Sequence, residues 1–213
     1  MSRKMKVIAV ATQKGGAGKS TISIHLAVQA MQSKKNAQVI LLDLDPQGSV
    51  ADWAKLRELE DPIVLQAMTG NLSAYLSQAQ EDGADYVVID TPPHAGGTID
   101  AAIRAADLVV IPIRPGPFDI NAAAGTVEIM KQTGRSGIFV LSQVAAVGPE
   151  GDDTAAVLQE LYPDVPVAKA RLGQRKAFMQ ALISGQAITE FDRPSSKAVG
   201  EIKALFREVR GRL

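Results

Sequence analysis

Residues 13–21 contain the residue types that bind a phosphate chain. They read Gln-Lys-Gly-Gly-Ala-Gly-Lys-Ser-Thr. Glycines have no Cβ, so successive backbone N–H groups in such a stretch can point at one anion. Lys19 could reach the β- and γ-phosphates of a nucleotide, and the Ser20 hydroxyl could ligate Mg²⁺. The predicted nucleotide-binding residues are Lys14, Gly15, Gly16, Ala17, Gly18, Lys19, Ser20 and Thr21.

Two elements must hold this stretch, and the sequence predicts both. The apolar run Val7–Ala11 indicates a buried strand. On the other side, apolar residues at positions 22, 26, 28 and 31 have the spacing of one helix face. A strand, a glycine-rich turn and a helix are the context that a phosphate-binding loop requires. The helix begins near Gly18 and adds the positive end of its dipole to the site.

Three carboxylates follow two further apolar runs. Asp43 and Asp45 come directly after the strand predicted at 38–42, and Asp90 follows the strand predicted at 86–89. Ligands of open α/β sheets bind at the carboxyl ends of the strands, so these acids are expected at the same edge as the loop. A buried strand that ends in an acid is the Walker B arrangement, which delivers Asp90 to Mg²⁺.

The loop departs from the usual pattern, because Gln13 stands at the first glycine position and Lys14 follows it. This Lys-Gly-Gly-x-Gly-Lys-Ser form resembles the deviant Walker motif of the ParA/MinD family of P-loop ATPases. The segment Asp-Leu-Asp-Pro-Gln-Gly at 43–48 resembles the second signature of that family. The resemblance implies that Asp45 orients or deprotonates the attacking water and that Asp43 acts nearer the Mg²⁺. The catalytic residues so implied are Lys14, Lys19 and Asp45, and the metal-binding residues are Ser20, Asp43 and Asp90.

The resemblance also implies an assembly. Lys14 has no evident use within its own subunit, so it is expected to reach the phosphates of a second subunit in an ATP-dependent homodimer. The Pro-rich turn at 114–119 and the Arg-Leu-Gly-Gln-Arg segment at 171–175 are similar to the ParF-like plasmid-partition ATPases. In that branch the region after the strand at 108–112 contributes to the dimer face, and by analogy Gln143 lies near the adenine. No residues before the first strand are available for a helix-turn-helix, so operator-specific DNA binding is not expected.

Composition favours one α/β domain over residues 1–213, with a mostly parallel, twisted sheet and helices on both faces. The chain has 213 residues, 46% of them hydrophobic. It has no cysteine, which excludes disulfides, thiolate zinc sites and iron–sulfur clusters. Its two histidines cannot form a zinc site alone; His25 is expected to be structural and His94 to lie in an exposed turn. No apolar run reaches about 18 residues, so a cytoplasmic protein is expected.

The charges are unevenly distributed, although their sum is zero. Residues 169–213 contain ten basic and four acidic residues, a net charge of +6. Such a basic segment can bind a polyanion, or it can be the solvated surface of ordinary helices. On the first interpretation it would contact DNA without sequence preference. The predicted DNA-binding residues are Arg171, Arg175, Lys176, Lys197, Lys203, Arg207 and Arg210.

Three functions remain open at this point. The first is a ParA-type ATPase that hydrolyses ATP with Mg²⁺ and segregates a plasmid, chromosome or other cargo over the nucleoid, with a small partner protein that stimulates hydrolysis. The second is a MinD-like ATPase that cycles on a membrane through the amphipathic helix predicted at 195–212. We expect that helix to pack on the sheet instead, since a parallel sheet needs helices on both faces. The third is a metabolic ligase of the dethiobiotin-synthetase kind that shares the fold.

Overall fold

A six-stranded parallel sheet forms the centre of the chain. The computed structural model describes residues 5–93 and 96–213, so the prediction for His94 lies outside the described residues. The strand order is β3-β2-β4-β1-β5-β6, and every pairing is parallel. The strands are β1 (Lys6–Val10), β2 (Val39–Asp43), β3 (Ile63–Gln66), β4 (Tyr86–Asp90), β5 (Leu108–Ile113) and β6 (Gly137–Leu141).

Helices cover both faces of the sheet, as a parallel sheet requires. One apolar layer joins the sheet to α1, α2, α7, α8 and α9, and the other joins it to α3, α4, α5 and α6. A short 3₁₀ turn, Thr69–Asn71, precedes α3. The helices are α1 (Lys19–Gln32), α2 (Ser49–Leu56), α3 (Leu72–Glu81), α4 (Gly96–Ala105), α5 (Pro117–Thr133), α6 (Glu150–Leu161), α7 (Lys176–Ile183), α8 (Ile188–Phe191) and α9 (Lys197–Arg210).

The strand register brings the predicted acids to one edge. Val10 on β1 and Asp43 on β2 are both register partners of Asp90 on β4. The strands are buried from end to end because they consist of β-branched and other apolar residues between two helical layers. The carboxyl edge of the sheet therefore brings three features together: the turn after β1, the turn after β2 and the carboxylate of Asp90. The predicted fold class is confirmed.

Three local features differ from what the sequence indicates. The short apolar segment 165–167 indicates a last strand, but it forms only a single bridge, between Phe139 and Val167. The sequence indicates a helix over 120–132, but α5 already begins at Pro117, because proline is favoured in the first turn of a helix. α4 and α6 were not predicted.

The last helix packs as expected. The residues of its predicted apolar face are at most 3% exposed, and they pack with α1 and the sheet. This face is therefore not free to lie on a membrane. Within the described residues, no helix combines the length and apolarity needed to cross a bilayer. The buried residues are Val199, Ile202, Leu205, Phe206 and Val209.

Candidate nucleotide-binding site

The glycine-rich loop ends in a helix N-terminus that no side chain caps. Gly18 is the N-cap of α1, with φ +87°, and no side chain hydrogen-bonds there. Gly16 also has a positive φ, +76°, a conformation that residues with a Cβ seldom adopt. The first amides of a helix have no partner within it. They are available here to an anion, as a phosphate site requires.

Lys19 is held inside this loop. It is 7% exposed, and its ammonium donates a hydrogen bond to the carbonyl oxygen of Lys14 at 3.0 Å. Burial lowers the pKa of Lys19, while the carboxylates of Asp90 and Asp45 act in the opposite direction. The two carboxylates therefore lie close enough to favour the charged ammonium, which is the form that neutralises phosphate oxygens.

Asp90 is the candidate metal ligand with a free oxygen. The residue is fully buried; its Oδ1 accepts a hydrogen bond from the Ser23 hydroxyl at 2.8 Å, and its Oδ2 has no partner. Burial raises the pKa of Asp90 to about 7, against the opposing effects of the Ser20 and Ser23 hydroxyls. A buried carboxylate oxygen without a partner, beside a serine hydroxyl, fits a hard cation such as Mg²⁺. No group of three acidic or histidine residues among the described residues could hold a metal by itself, so nucleotide oxygens or water would complete the set.

Asp43 lies beside Asp90, and three backbone amides engage its carboxylate. Its Oδ2 accepts hydrogen bonds from the amides of Val50 and Ala51 at 3.1 and 3.0 Å, and its Oδ1 accepts from the amide of Asp45 at 3.0 Å. These bonds cap the first turn of α2 and fix the turn that carries Asp45. Burial raises the pKa of Asp43, and the backbone bonds counteract this. A carboxylate so engaged is a poor metal ligand, and the geometry gives Asp43 a positioning role.

Asp45 lies at the opening of the site. It is 8% exposed, and its Oδ1 accepts a hydrogen bond from the amide of Gln47 at 2.9 Å. Its charge reaches Lys19, so Asp45 is close to the place where the terminal phosphate would lie. A carboxylate that lines the cavity and is held by one amide can orient a water molecule, and this remains the role predicted for Asp45.

An open cavity of about 590 Å³ extends from the loop toward the C-terminal helices. Small-molecule sites usually have about 300–1,000 Å³. Loop residues and Asp45 line one side, and α2 and α7 provide an apolar wall that includes Trp53, Leu56 and Ile183. This wall was not predicted, because its two helices are far apart in sequence.

A buried ion pair fixes the wall. The Arg57 guanidinium donates two hydrogen bonds to the Glu190 carboxylate, at 2.7 and 2.8 Å, and lies 5.0 Å from the centre of the Trp53 ring. The Arg57 side chain is 2% exposed and that of Glu190 12%. Removal of either partner would leave the other charge buried and uncompensated. The pair therefore holds the C-terminal end of α2 against α8.

The turn after β6 joins the loop from the other side. The Ser142 hydroxyl donates to the carbonyl of Ala17 at 2.8 Å, and Gln143 Nε2 donates to the carbonyl of Gly16 at 2.7 Å. Gln143 has a positive φ of +53°, which is uncommon for a residue with a Cβ. Gln143 therefore helps to hold the phosphate loop. From the sequence, the only indication that Gln143 lies near the site was its position after a predicted strand.

A neighbouring cavity of about 790 Å³ lies beside Asp45 and Pro93, and Met68 and Tyr75 contribute to its walls.

Two of the predicted DNA-binding residues are paired within the chain. Arg171 donates to the carbonyl of Gly151 and to the carboxylate of Asp152, at 2.8 and 3.1 Å. The Arg175 guanidinium pairs with the Glu201 carboxylate, which raises the pKa of Arg175. Both charges are thus largely compensated, so neither residue is a good candidate for a DNA contact. The other five are exposed and have no ion pair within residues 5–93 and 96–213; they are Lys176, Lys197, Lys203, Arg207 and Arg210.

His25 is structural, as expected. It is fully buried, its Nδ1 accepts a hydrogen bond from the amide of Ile188 at 3.3 Å, and its ring packs against Phe178 with a centroid distance of 5.3 Å. Burial lowers the pKa of His25 to about 3. The imidazole is therefore neutral at physiological pH and takes no part in the site.

Comparison with known proteins agrees with this geometry. The family model described as the CobQ/CobB/MinD/ParA nucleotide binding domain matches residues 8–203. The Maintenance of carboxysome distribution protein A of Halothiobacillus neapolitanus is 27% identical over 218 residues, which cover 98% of each chain. The protein of the same name from Gloeobacter kilaueensis is 31% identical over 208 residues, 96% of this chain and 92% of the other. A solved Cyanothece McdA complex with ATP has a TM-score of 0.77 at 20% identity and covers 100% of this chain and 97% of the other; that likeness concerns the fold.

Proposed function

The chain belongs to the CobQ/CobB/MinD/ParA nucleotide-binding family, and from this premise we propose that it positions a cargo by an ATP-driven cycle of dimerisation and DNA binding. It is a ParA/MinD-type ATPase that uses ATP and Mg²⁺. The whole of residues 1–213 would act as one ATPase domain. The cargo would be a plasmid, a chromosome or another large body, and the names of two relatives point to a body such as a carboxysome.

The candidate site would provide, within one subunit, the groups that bind the nucleotide, the Mg²⁺ and the attacking water. Bound Mg²⁺ would neutralise phosphate charge, and Asp90 with Ser20 would hold it. Lys19 and the uncapped amides of α1 would bind the phosphates. Asp45 would orient the attacking water, with its turn fixed by Asp43. Phosphoryl transfer depends chiefly on such positioning and charge neutralisation.

One observation carries the dimer proposal, and it concerns Lys14. Its carbonyl is engaged by Lys19, but its ammonium has no hydrogen-bond or ion-pair partner among the described residues. A lysine in a phosphate loop with an uncommitted charge can serve a second subunit. A cation supplied in trans increases turnover by about 10³–10⁵-fold in NTPases that depend on one. Two subunits that face each other across their nucleotides would each provide this lysine to the other.

The ATP-bound dimer would bind DNA through the exposed basic residues of its C-terminal region. Lys203 and Arg207 lie on α9, opposite its buried face, and Lys176 begins α7. One such surface binds duplex DNA only weakly, with a Kd on the order of 10⁻⁴–10⁻⁶ M. Two surfaces in a rigid dimer gain affinity without new contacts. ATP would therefore switch DNA binding on, and hydrolysis, stimulated by a small adaptor protein, would release it in the cytoplasm.

The test is the variant Lys14→Ala, with Lys35→Ala as a control at an exposed lysine remote from the loop. We expect Lys14→Ala to remain folded and to bind ATP as a monomer, but to form no ATP-dependent dimer in light scattering. Its turnover should fall by at least about 10³-fold, whereas the control should behave as the unmodified chain. If Lys14→Ala dimerises with ATP as the unmodified chain does, the proposal is wrong.

A further inference from the structure

The side chain of Gln13 lies against the middle of α5, at Gly125. A Cβ on Gly125 would be 2.3 Å from Gln13 Nε2, 2.8 Å from Cδ and 3.0 Å from Oε1, all well inside normal contact distance. Gly125 does not have a positive φ, so its backbone conformation does not require glycine. Glycine is unfavourable inside a helix. A Cβ at position 125 would push the Gln13 amide, the free end of a flexible side chain, away from α5.

A second contact joins the loop to the start of α5. Arg114 follows β5, and its Nε and Nη2 donate to the Asp119 carboxylate in the first turn of α5, at 3.0 and 3.3 Å. Its remaining nitrogen, Nη1, lies beside Gly16, 3.5 Å from the position that a Cβ would take there. Asp119 thus holds the Arg114 guanidinium beside the loop.

Lys14 lies between these two contacts, one residue after Gln13 and two before Gly16. The lysine side chain is long and flexible. Its reach across a dimer interface therefore depends on where its backbone is anchored. We propose that α5 positions the first half of the phosphate loop, and with it Lys14, through the contact between Gln13 and Gly125. The inference rests on the proposed function only for the role of Lys14; Gln13 and Gly125 are positioning residues that need not touch the nucleotide.

The structure provides a matched pair of variants for the test. Gly125→Ala and Gly200→Ala each place a methyl group inside a helix. The new Cβ at 125 would overlap Gln13, whereas at 200 it meets nothing within 4 Å. We expect Gly200→Ala to leave turnover unchanged and to raise Tm by roughly 2–4 °C through helix propensity. We expect Gly125→Ala to lower kcat at least about tenfold, since a displacement of about 1 Å can cost on the order of 100-fold.

Nucleotide affinity and a double variant separate positioning from simple damage. In Gly125→Ala the Kd for ATP of the monomer should stay unchanged, because Gly18, Lys19 and α1 are not touched. Gln13→Ala removes the same contact from its other side, so it should lower kcat as Gly125→Ala does. The double variant Gln13→Ala/Gly125→Ala should be no slower than the slower single variant, because all three have lost one and the same contact.

Two results would overturn the inference: a kcat of Gly125→Ala equal to that of Gly200→Ala, or a double variant whose loss of kcat is the product of the two single losses. These results differ from a failure of the proposed function. If Lys14→Ala has no effect while Gln13→Ala and Gly125→Ala lose kcat without additivity, the trans role of Lys14 is wrong and the positioning by α5 stands. If Lys14→Ala abolishes dimers while Gly125→Ala has no effect, only the positioning is wrong.

Discussion

Ser23 donates a hydrogen bond to one oxygen of Asp90 at 2.8 Å, and the other oxygen of this buried carboxylate has no partner. The raised pKa of Asp90, about 7, means that the nucleotide-free fold retains a proton that the unfolded chain releases near pH 3.8. The stability contributed by this group is therefore fully present below pH 3.8 and is lost as the pH rises through about 7.

We predict that D90N stabilises the nucleotide-free chain at pH 8 by on the order of 1 kcal/mol, because asparagine has no charge to bury. At pH 5 the gain should be smaller, because folded Asp90 is then protonated, and it should disappear near pH 3.8, where Asp90 of the unfolded chain is protonated as well. D90N should also lose the rise in Tm that Mg²⁺ and ATP give to the unmodified chain. Thermal unfolding at both pH values, with and without Mg²⁺-ATP, measures all three effects. A full Mg²⁺-ATP shift in D90N would contradict the assignment of Asp90 as the metal ligand.

Substitutions of the two acids at the end of β2 should differ in effect: the change at Asp43 should chiefly lower stability, and the change at Asp45 should chiefly lower turnover. Asp43→Ala removes the acceptor of three backbone amides, so we predict a loss of about 2–3 kcal/mol in the free energy of unfolding. Asp45→Ala removes one such bond and should cost about 1 kcal/mol or less, but it should abolish turnover. Urea unfolding and phosphate release separate the two roles. Equal stability of both variants would show that Asp43 is not the cap of α2.

His25 should make the fold sensitive to mild acid. Its folded pKa is about 3, below the ordinary 6.5, so the unfolded chain takes up a proton that the folded chain excludes. The stability from neutral His25 is present above pH 6.5 and is lost as the pH falls below it, by at most about 1.4 kcal/mol per pH unit. His25→Asn keeps an acceptor for the Ile188 amide and should flatten this dependence between pH 6.5 and 5 in urea unfolding. An unchanged slope in that variant would assign the pH dependence to other groups.

DNA binding should depend on the uncompensated basic residues. We predict that charge removal at Lys203, Arg207 and Arg210 together weakens ATP-dependent DNA binding and lowers the salt slope by up to about 0.9 per lost phosphate contact. Arg175→Gln is the comparison, because the pair of Arg175 with Glu201 already compensates its charge; it should change the affinity for DNA much less. Fluorescence anisotropy over a series of salt concentrations provides the measurement. If the triple variant keeps the original salt slope, these three residues do not contact DNA and the DNA-binding surface lies elsewhere on the chain.

The strand ends could be predicted from the sequence because a parallel sheet buries both faces of its strands. Val39–Leu42 and Tyr86–Ile89 are unbroken apolar runs that stop at an acid, and such runs are recognisable without any tertiary information. The loop between β1 and α1 is local in sequence, so its glycines and Lys19 could be placed in the same way. These features locate the site at one edge of the sheet.

What could not be predicted depends on contacts between distant segments. The role of Asp43 follows from the path of the backbone through 45–48, which brings the amides of Val50 and Ala51 to its oxygens. The pair of Arg175 with Glu201 joins the N-terminus of α7 to α9, which is separate from it in sequence. α6 was missed for another reason: the buried residues on its inner side are Gly151, Thr154 and Leu158, only one of which is strongly apolar, so the usual helical pattern of hydrophobic residues is absent.

The hydrogen bond from the Lys19 ammonium to the carbonyl oxygen of Lys14 has one more consequence. An arriving phosphate chain competes for the same ammonium, so filling the loop removes a tether from the backbone of Lys14. The empty loop thus holds the backbone of Lys14 through Lys19, whereas the Lys14 ammonium is uncommitted within the described part of the chain. A bound nucleotide would free this backbone, so a bond of 3.0 Å would link the path of the loop at Lys14 to the occupancy of the site.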